Sequence, residues 1–252
     1  MKSKNIIYNI IAIIFWLSVW QIISMIVKLE VILPSPLSTV NSLIKLSSST
    51  EFWKSCLLSV VRILTGLFSG AIIALILAYI TYVSKFAYAI FSPILTVIKA
   101  TPIASFIIFA LIWIGREFVP SFITFLIVLP IIWSTVYHSI NNIDDKLKEI
   151  AIVFNFTTKE KLRHLYFPSV FSAFISSFMT SIGIAWKAGV AAEVLCTPRY
   201  SIGTSIFESK KYIETPDLFA WTVTVIILSL IIEKLLFAAL SLIKERSQND
   251  NS

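Results

Sequence analysis

DDKLKEIAIVFNFTTKEKLRHLYFP, residues 144–168, is the one long hydrophilic interruption between apolar segments that are each long enough to cross a bilayer. Short turns suffice to connect spans, so a charged loop of this length implies a structured segment that engages a soluble partner. Its periodicity is helical. Leu147, Ile150, Ala151 and Phe154 stand at i, i+3, i+4 and i+7, one apolar stripe on a short helix, with Asp144 and Asp145 at its positive N-terminal end. Asn155 follows the stripe. After glycine, Asn best tolerates the left-handed conformation that ends helices, and Phe156 is placed to close that cap against Ile150 or Ala151. Thr157 and Glu160 have capping-box spacing, which opens a second helix carrying Leu162 and Leu165 and expected to stop before Pro168. Periodicity alone leaves two readings open, a surface that docks on protein and an amphipathic pair lying on lipid.

The rest of the chain sets the class. With 57% hydrophobic residues, 14% charged residues and a mean hydropathy of +0.87, there is too little polar surface to cover a soluble domain of 252 residues. Six spans are expected near 6–27, 57–80, 86–114, 118–138, 169–190 and 218–242. The third is interrupted by Pro93 and Pro102 with Lys99 between them, and reads as one kinked span or as an interfacial helix followed by a short span. Five or six spans are both compatible with it. The first segment lacks a small-residue cleavage site, and Trp16 and Trp20 suit a retained helix. Lys and Arg residues are spread through loops and termini, which points to an anionic lipid surface rather than nucleic acid. Their excess on the side of the long loop puts that loop and both termini in the cytoplasm.

Charged and small residues at membrane depth are the other candidates. Arg62, Lys187 and Glu193 fall in the outer half of this topology, where each charge is costly. An Arg62 to Glu193 pair between helices is geometrically open. Lys187 lies ~9 Å of helix deeper than Glu193, and reads either as a structural or snorkelling charge or as a group facing a path for anionic cargo. The fifth span carries hydroxyl and small residues at helical spacing, among them Ser176, Thr180, Gly183 and Gly189. Close helix packing is the expected role, with a polar path as the competing one.

Several chemistries have no residues to carry them. None of the six glycines belongs to a G-x-x-x-x-G-K-[ST] loop, and the sequence holds no H-E-x-x-H, no Cys/His cluster and no nucleophile–base pair. Catalytic and metal-ligating residues are therefore expected to be none. Cys56 and Cys196 read as free thiols.

Glu149-Ile150-Ala151, Asn155 and Leu165-Tyr166-Phe167-Pro168 resemble, in their spacing, the signature E-A-A-x-x-x-G, nine residues, I-x-L-P of binding-protein-dependent ABC importer permeases. The first Ala, the Gly, the Ile and the Leu are replaced, and Asn at the glycine position keeps the same backbone option. Leu33-Pro34-Ser35-Pro36, Ser59-Val60-Val61-Arg62, Thr101-Pro102, Trp113-Ile114-Gly115 and the run 185–193 (AWKAGVAAE) are similar to the nitrate, sulfonate and taurine branch. The resemblance implies an all-α polytopic fold of the type I ABC importer permease kind. It further implies a single transmembrane domain over 1–252, with an extra N-terminal span at about 6–27, a permease core at about 55–243 and a coupling loop at 141–168. Glu149, Ile150, Ala151, Phe154, Asn155, Leu165 and Pro168 would couple to a cytoplasmic ATPase that carries the ATP and Mg, this chain binding no cofactor. A substrate-binding protein on the outside, a homodimer of the permease and a bacterial cell-membrane location are implied as well. Cargo of sulfonate, taurine or nitrate type fits the branch, and a thiamine-precursor pyrimidine or another small nutrient is the alternative. A secondary transporter or a non-transporting membrane scaffold is the alternative of another class. The two halves of the chain lack the matched broken helices that the former would show.

Overall fold

The computed structural model describes the backbone of residues 2–249, and the side chains of these apart from 2–6, 9, 148, 158, 159, 162, 163 and 242–249. The expected place of Leu162 on the second apolar stripe lies outside the described residues. Five helices carry an apolar stretch long enough to cross a membrane: α1 (Lys2–Val27), α3 (Thr50–Val83), α6 (Val119–Asn141), α9 (Phe167–Cys196) and α11 (Thr215–Asn249). A short helix α2 (Pro36–Ser47) joins the first two. Ser35 caps it by accepting from the Ser38 N–H at 3.1 Å, and Pro36 occupies its first turn, where a missing N–H costs nothing.

The third expected span is a broken one. Helices α4 (Lys85–Ala100) and α5 (Ile103–Trp113) meet at an angle of 109° across Thr101 and Pro102. Pro102 has no N–H to continue α4, and Thr101 before it is driven to an extended conformation, with ψ 132. The two pieces still join opposite ends of the bundle. Tyr88 of α4 stacks on Tyr137 at 4.7 Å, near the end that carries residues 144–166, whereas Ile107 and Ala110 of α5 pack with Val119, Ile123, Ala188 and Ala192 at the far end. Pro93 sits inside α4, and Lys99 lies in its last turn, where a cation meets the negative end of the helix.

The core lies where α3, α6 and α9 cross. Gly66 and Gly70 allow the closest approach. A Cβ on Gly66 would stand 2.2 Å from the Ser121 carbonyl oxygen and 2.7 Å from the Thr124 Cβ, and one on Gly70 would meet the Phe125 oxygen at 3.0 Å. This G-x-x-x-G pair was absent from the packing residues expected from sequence, although its spacing is the signal for small-residue helix contact in lipid. Around it Ile63, Leu67, Ala74, Val128, Ile132, Ile182 and Ala185 are buried. Trp133 donates its indole N–H to Thr81 Oγ1 at 3.0 Å, so its polar edge is satisfied inside the core.

Helix α1 is attached lightly, with most of its apolar surface exposed. Trp20 donates to the Pro34 carbonyl at 3.0 Å and packs on Phe219 at 5.8 Å, and Ser24 donates to the Leu33 carbonyl.

Candidate functional site

The loop between α6 and α9 begins with α7 (Asp145–Val153). Asp144 caps it by accepting from the Lys146 N–H at 2.9 Å. Its end is a Schellman turn. The Phe156 N–H reaches the Ala151 oxygen and the Asn155 N–H the Ile152 oxygen, both at 2.9 Å, with Asn155 left-handed at φ 50. Of the stripe, Ala151 is buried, while Leu147, Ile150 and Phe154 stay exposed, with Phe154 at 70%. Glu149 is exposed beside them. The helix thus offers an apolar face that none of the described residues covers.

Because a left-handed Asn is tolerated but a β-branched residue there is strained, Asn155→Gly is expected to keep wild-type amounts of folded protein. Asn155→Val is expected to lose roughly 1–2 kcal/mol of local stability. Limited proteolysis of the loop reads the difference, and equal cleavage of the two variants would remove any special role for the backbone at 155.

Thr157 and Glu160 form the reciprocal capping box. Glu160 Oε2 accepts from the Thr157 N–H at 2.7 Å, and the Glu160 N–H donates to Thr157 Oγ1 at 3.3 Å. The carboxylate also accepts from the Thr157 hydroxyl at 2.8 Å, and the bonds it accepts, from the Thr157 N–H first and this hydroxyl second, hold it below its ordinary range. The second helix does not stop before Pro168. Helix α8 (Thr158–Lys161) runs into a π turn, Leu162–Tyr166, and then directly into α9, with Leu165 buried and Pro168 exposed in the first turn of α9. The π turn shifts the hydrogen-bond register by one residue just where a proline would otherwise clash with the carbonyl four positions back.

At the far end the charges converge. Glu193 is fully buried, and its Oε2 accepts from Ser59 Oγ at 2.7 Å and from the Gly203 N–H at 3.1 Å. It therefore sits at the positive N-terminus of α10 (Ile202–Lys211), which Ser201 caps. Ser59 in turn accepts from the Ile202 N–H at 2.9 Å. Arg62, one turn further along α3, lies 3.7 Å from Glu193 Oε1. It also donates to Glu117 at 2.6 Å and to the carbonyls of Tyr200 and Arg199 at 3.0 and 2.9 Å. Glu117 closes the ring by accepting from the Arg199 N–H at 2.8 Å. One guanidinium thus pins the reversal from α9 to α10, where Thr197 and Tyr200 are both left-handed. Glu117, Ser59 and Gly203 were not among the residues expected here. Of these three, Ser59 and Gly203 donate to the carboxylate of Glu193, and neither carries a charge that sequence reading would flag.

Lys187 does not join this cluster. It is exposed on α9 and has no ion pair among the described residues. The hydroxyl and small residues of α9, expected on one side, divide between two faces. Ser177, Ser181, Ala185, Ala188 and Gly189 point inward, and a Cβ on Gly189 would come within 2.5 Å of Ile63. Ser176 and Thr180 are exposed in the single chain, and Thr180 stands beside Lys234 and Phe237 of α11. Gly183 is half-buried, facing α11. A step of four residues on a helix of 3.6 residues per turn drifts, so a run of small residues this long serves two faces.

Residues 66–247 match the family described as binding-protein-dependent transport system inner membrane component. The chain belongs to that family. Among its relatives is an aliphatic sulfonates transport permease protein, SsuC, of Bacillus subtilis, 24% identical over 81% of this chain and 74% of the relative. SsuC of Escherichia coli is 26% identical over 79% and 76%, and the nitrate import permease protein NrtB of Synechococcus elongatus is 25% identical over 77% and 73%. The protein is thus an all-α, multi-pass permease subunit of an ABC importer, a transport component of the cell membrane. The family works with an ATPase and a binding protein.

Proposed function

We propose that this permease imports a small solute bearing an anionic group, of sulfonate or nitrate type, and that α7 couples it to a separate cytoplasmic ATPase that binds the ATP and Mg. The exposed apolar face of α7 carries the coupling half of this reading. Leu147, Ile150 and Phe154 cost free energy in water, and a groove on a partner is where such a face is used. Glu149 flanks the contact, Asn155 fixes the direction in which the chain leaves it, and Leu165 and Pro168 anchor the loop onto α9. The end that carries residues 144–166 is then cytoplasmic, as are both termini, and a binding protein delivers cargo at the far end. The solute half rests on the names of the relatives and on Lys187, an exposed cation on a membrane-spanning helix. Arg62 and Glu193, bound to one another and to the 197–203 reversal, act as structure rather than path. A second copy of the permease completes the path, because Ser172, Ser176, Thr180 and Lys187 form an exposed polar face that lipid would not solvate.

Ala151 is buried, so bulk placed there would disturb the loop itself. The cleaner test is Ile150→Glu, which puts a carboxylate on an exposed position and alters only the partner contact. It is expected to leave the permease in the membrane and to lower ATP-dependent uptake at least about tenfold, since seating an unpaired charge in an apolar groove costs more than 1.4 kcal/mol. Full uptake with normal ATPase copurification would sink the coupling assignment.

A further inference from the structure

At the end of the molecule opposite residues 144–166 lies a cavity of about 640 Å3 between the starts of α3 and α11 and the helix α10. Four carboxylates line it, those of Glu51, Glu208, Glu214 and Asp217, and none forms an ion pair among the described residues. Asp217 accepts from the Ser42 hydroxyl. The two arginines of the lining already have partners. Arg116 lies 3.8 Å from Glu117, and Arg199 stacks on the Tyr200 ring at 4.9 Å and donates to its hydroxyl at 3.2 Å. Lys54 and Lys211 stand over the rings of Tyr200 and Tyr212, and neither they nor Lys210 line the cavity. Its surplus charge is negative.

Two hydroxyls add to it. Ser55 and Ser209 line the cavity at 5% exposure each, and neither side chain makes a hydrogen bond among the described residues. Glu193 Oε1 is the one fully enclosed side-chain polar atom without a partner among them, so the oxygens of both serines open on the cavity. An unpaired polar group at such burial is costly and calls for a ligand. That ligand is not a metal ion, because no three acidic, His or Cys side chains among the described residues are placed to hold one. It is an extended group whose N–H donors reach separate carboxylates. Beside the cavity Tyr212 and Ile213 are 65% and 64% exposed, with Ile213 left-handed at φ 63, a conformation costly for a β-branched residue. An exposed apolar pair next to a charged recess is the anatomy of a protein contact.

We propose that this cavity is the socket in which the binding protein seats a basic segment, with lysine or arginine heads on Glu208, Glu214 and the hydroxyls of Ser55 and Ser209. This rests on the importer reading above, which puts this end outside, and gives the chemistry of the partner's contact. The long stems of such residues lie along Phe52 and Trp221, which pack on each other at 4.8 Å in the cavity wall, while their heads keep the carboxylates. Tyr212 and Ile213 take the apolar flank of the segment. Attraction between the opposite charges speeds encounter and fixes the orientation in which the partner lands.

The test follows uptake by vesicles holding the permease and its ATPase as the concentration of the purified binding protein is raised. Glu208→Gln with Glu214→Gln is expected to raise the half-saturating concentration at least about tenfold, with a smaller effect on uptake at saturation, as loss of two charges facing a basic segment requires. Both residues are exposed and without an ion pair among the described residues, so assembly, scored by ATPase copurification, is kept. Glu208→Lys with Glu214→Lys should weaken docking further. In the parent protein half-saturation should rise with ionic strength, and in the Gln pair that dependence should flatten. Ser209→Leu fills the recess without touching a charge, and should weaken docking while retaining the salt dependence. Half-saturation unmoved by the Gln pair, a parent half-saturation indifferent to salt, or tighter docking in the Lys pair would each overturn the proposal. Uptake that never responds to the binding protein would overturn the importer reading, and the docking with it.

Discussion

Arg62→Met is expected to remove most of the folded permease from the membrane, while Arg62→Met combined with Glu193→Gln recovers much of it. The single substitution leaves the fully buried Glu193 without its guanidinium, and removing one half of a buried pair costs about 3–5 kcal/mol. The bond from Arg62 to Glu117 counts for less in this balance, because the Glu117 side chain is 40% exposed and water takes over when Arg62 leaves. Gln at 193 carries no charge, and its carbonyl still accepts from Ser59 and the Gly203 N–H, so the double variant loses the penalty and keeps the bonds to α3 and α10. The amount of monodisperse protein extracted from membranes measures both. Equal losses in the single and double variants would mean that the charge of Glu193 is not what Arg62 compensates, and that the guanidinium matters only for the carbonyls of Arg199 and Tyr200.

Gly66→Val should be nearly as damaging for a different reason. Even a methyl at 66 would lie 2.2 Å from a backbone oxygen of α6, and that atom cannot swing aside as a flexible side chain would. The two helices must separate. Overpacking of this kind costs roughly 1–3 kcal/mol, and a branched residue against backbone falls at the upper end. Separation also loosens the Ser121 hydroxyl from the Arg62 carbonyl, now 2.8 Å away, which links the crossing to the charge cluster above it. Gly115→Ala is the matched control, since nothing lies within 4 Å of the added atom. The readout is the temperature at which half the detergent-solubilised protein loses its monodisperse peak. A Gly66→Val midpoint equal to that of Gly115→Ala would show that α3 and α6 do not depend on this contact.

The membrane class, the spanning helices and the loop turns were legible in the sequence by itself, whereas the short helices α2 and α10 were not read from it. Hydropathy is a sum over neighbours, and caps act over three or four residues. Asp144, Asn155, Thr157 and Glu160 therefore declared their turns without reference to the rest of the chain. The break at Thr101–Pro102 was legible as a break, because proline acts on its own backbone, but its 109° angle depends on what α4 and α5 each pack against. Tertiary structure alone decided which side of each spanning helix faces inward. In water an apolar stripe marks the buried face, but in a bilayer lipid is as apolar as the core, so Ser176 and Ser177 look alike until the neighbouring helices are in place. The same reason hid Gly66 against α6. The bond from Ser59 to Glu193 joins residues 134 positions apart and depends on the rotation of two helices about their axes, a property that no local pattern carries.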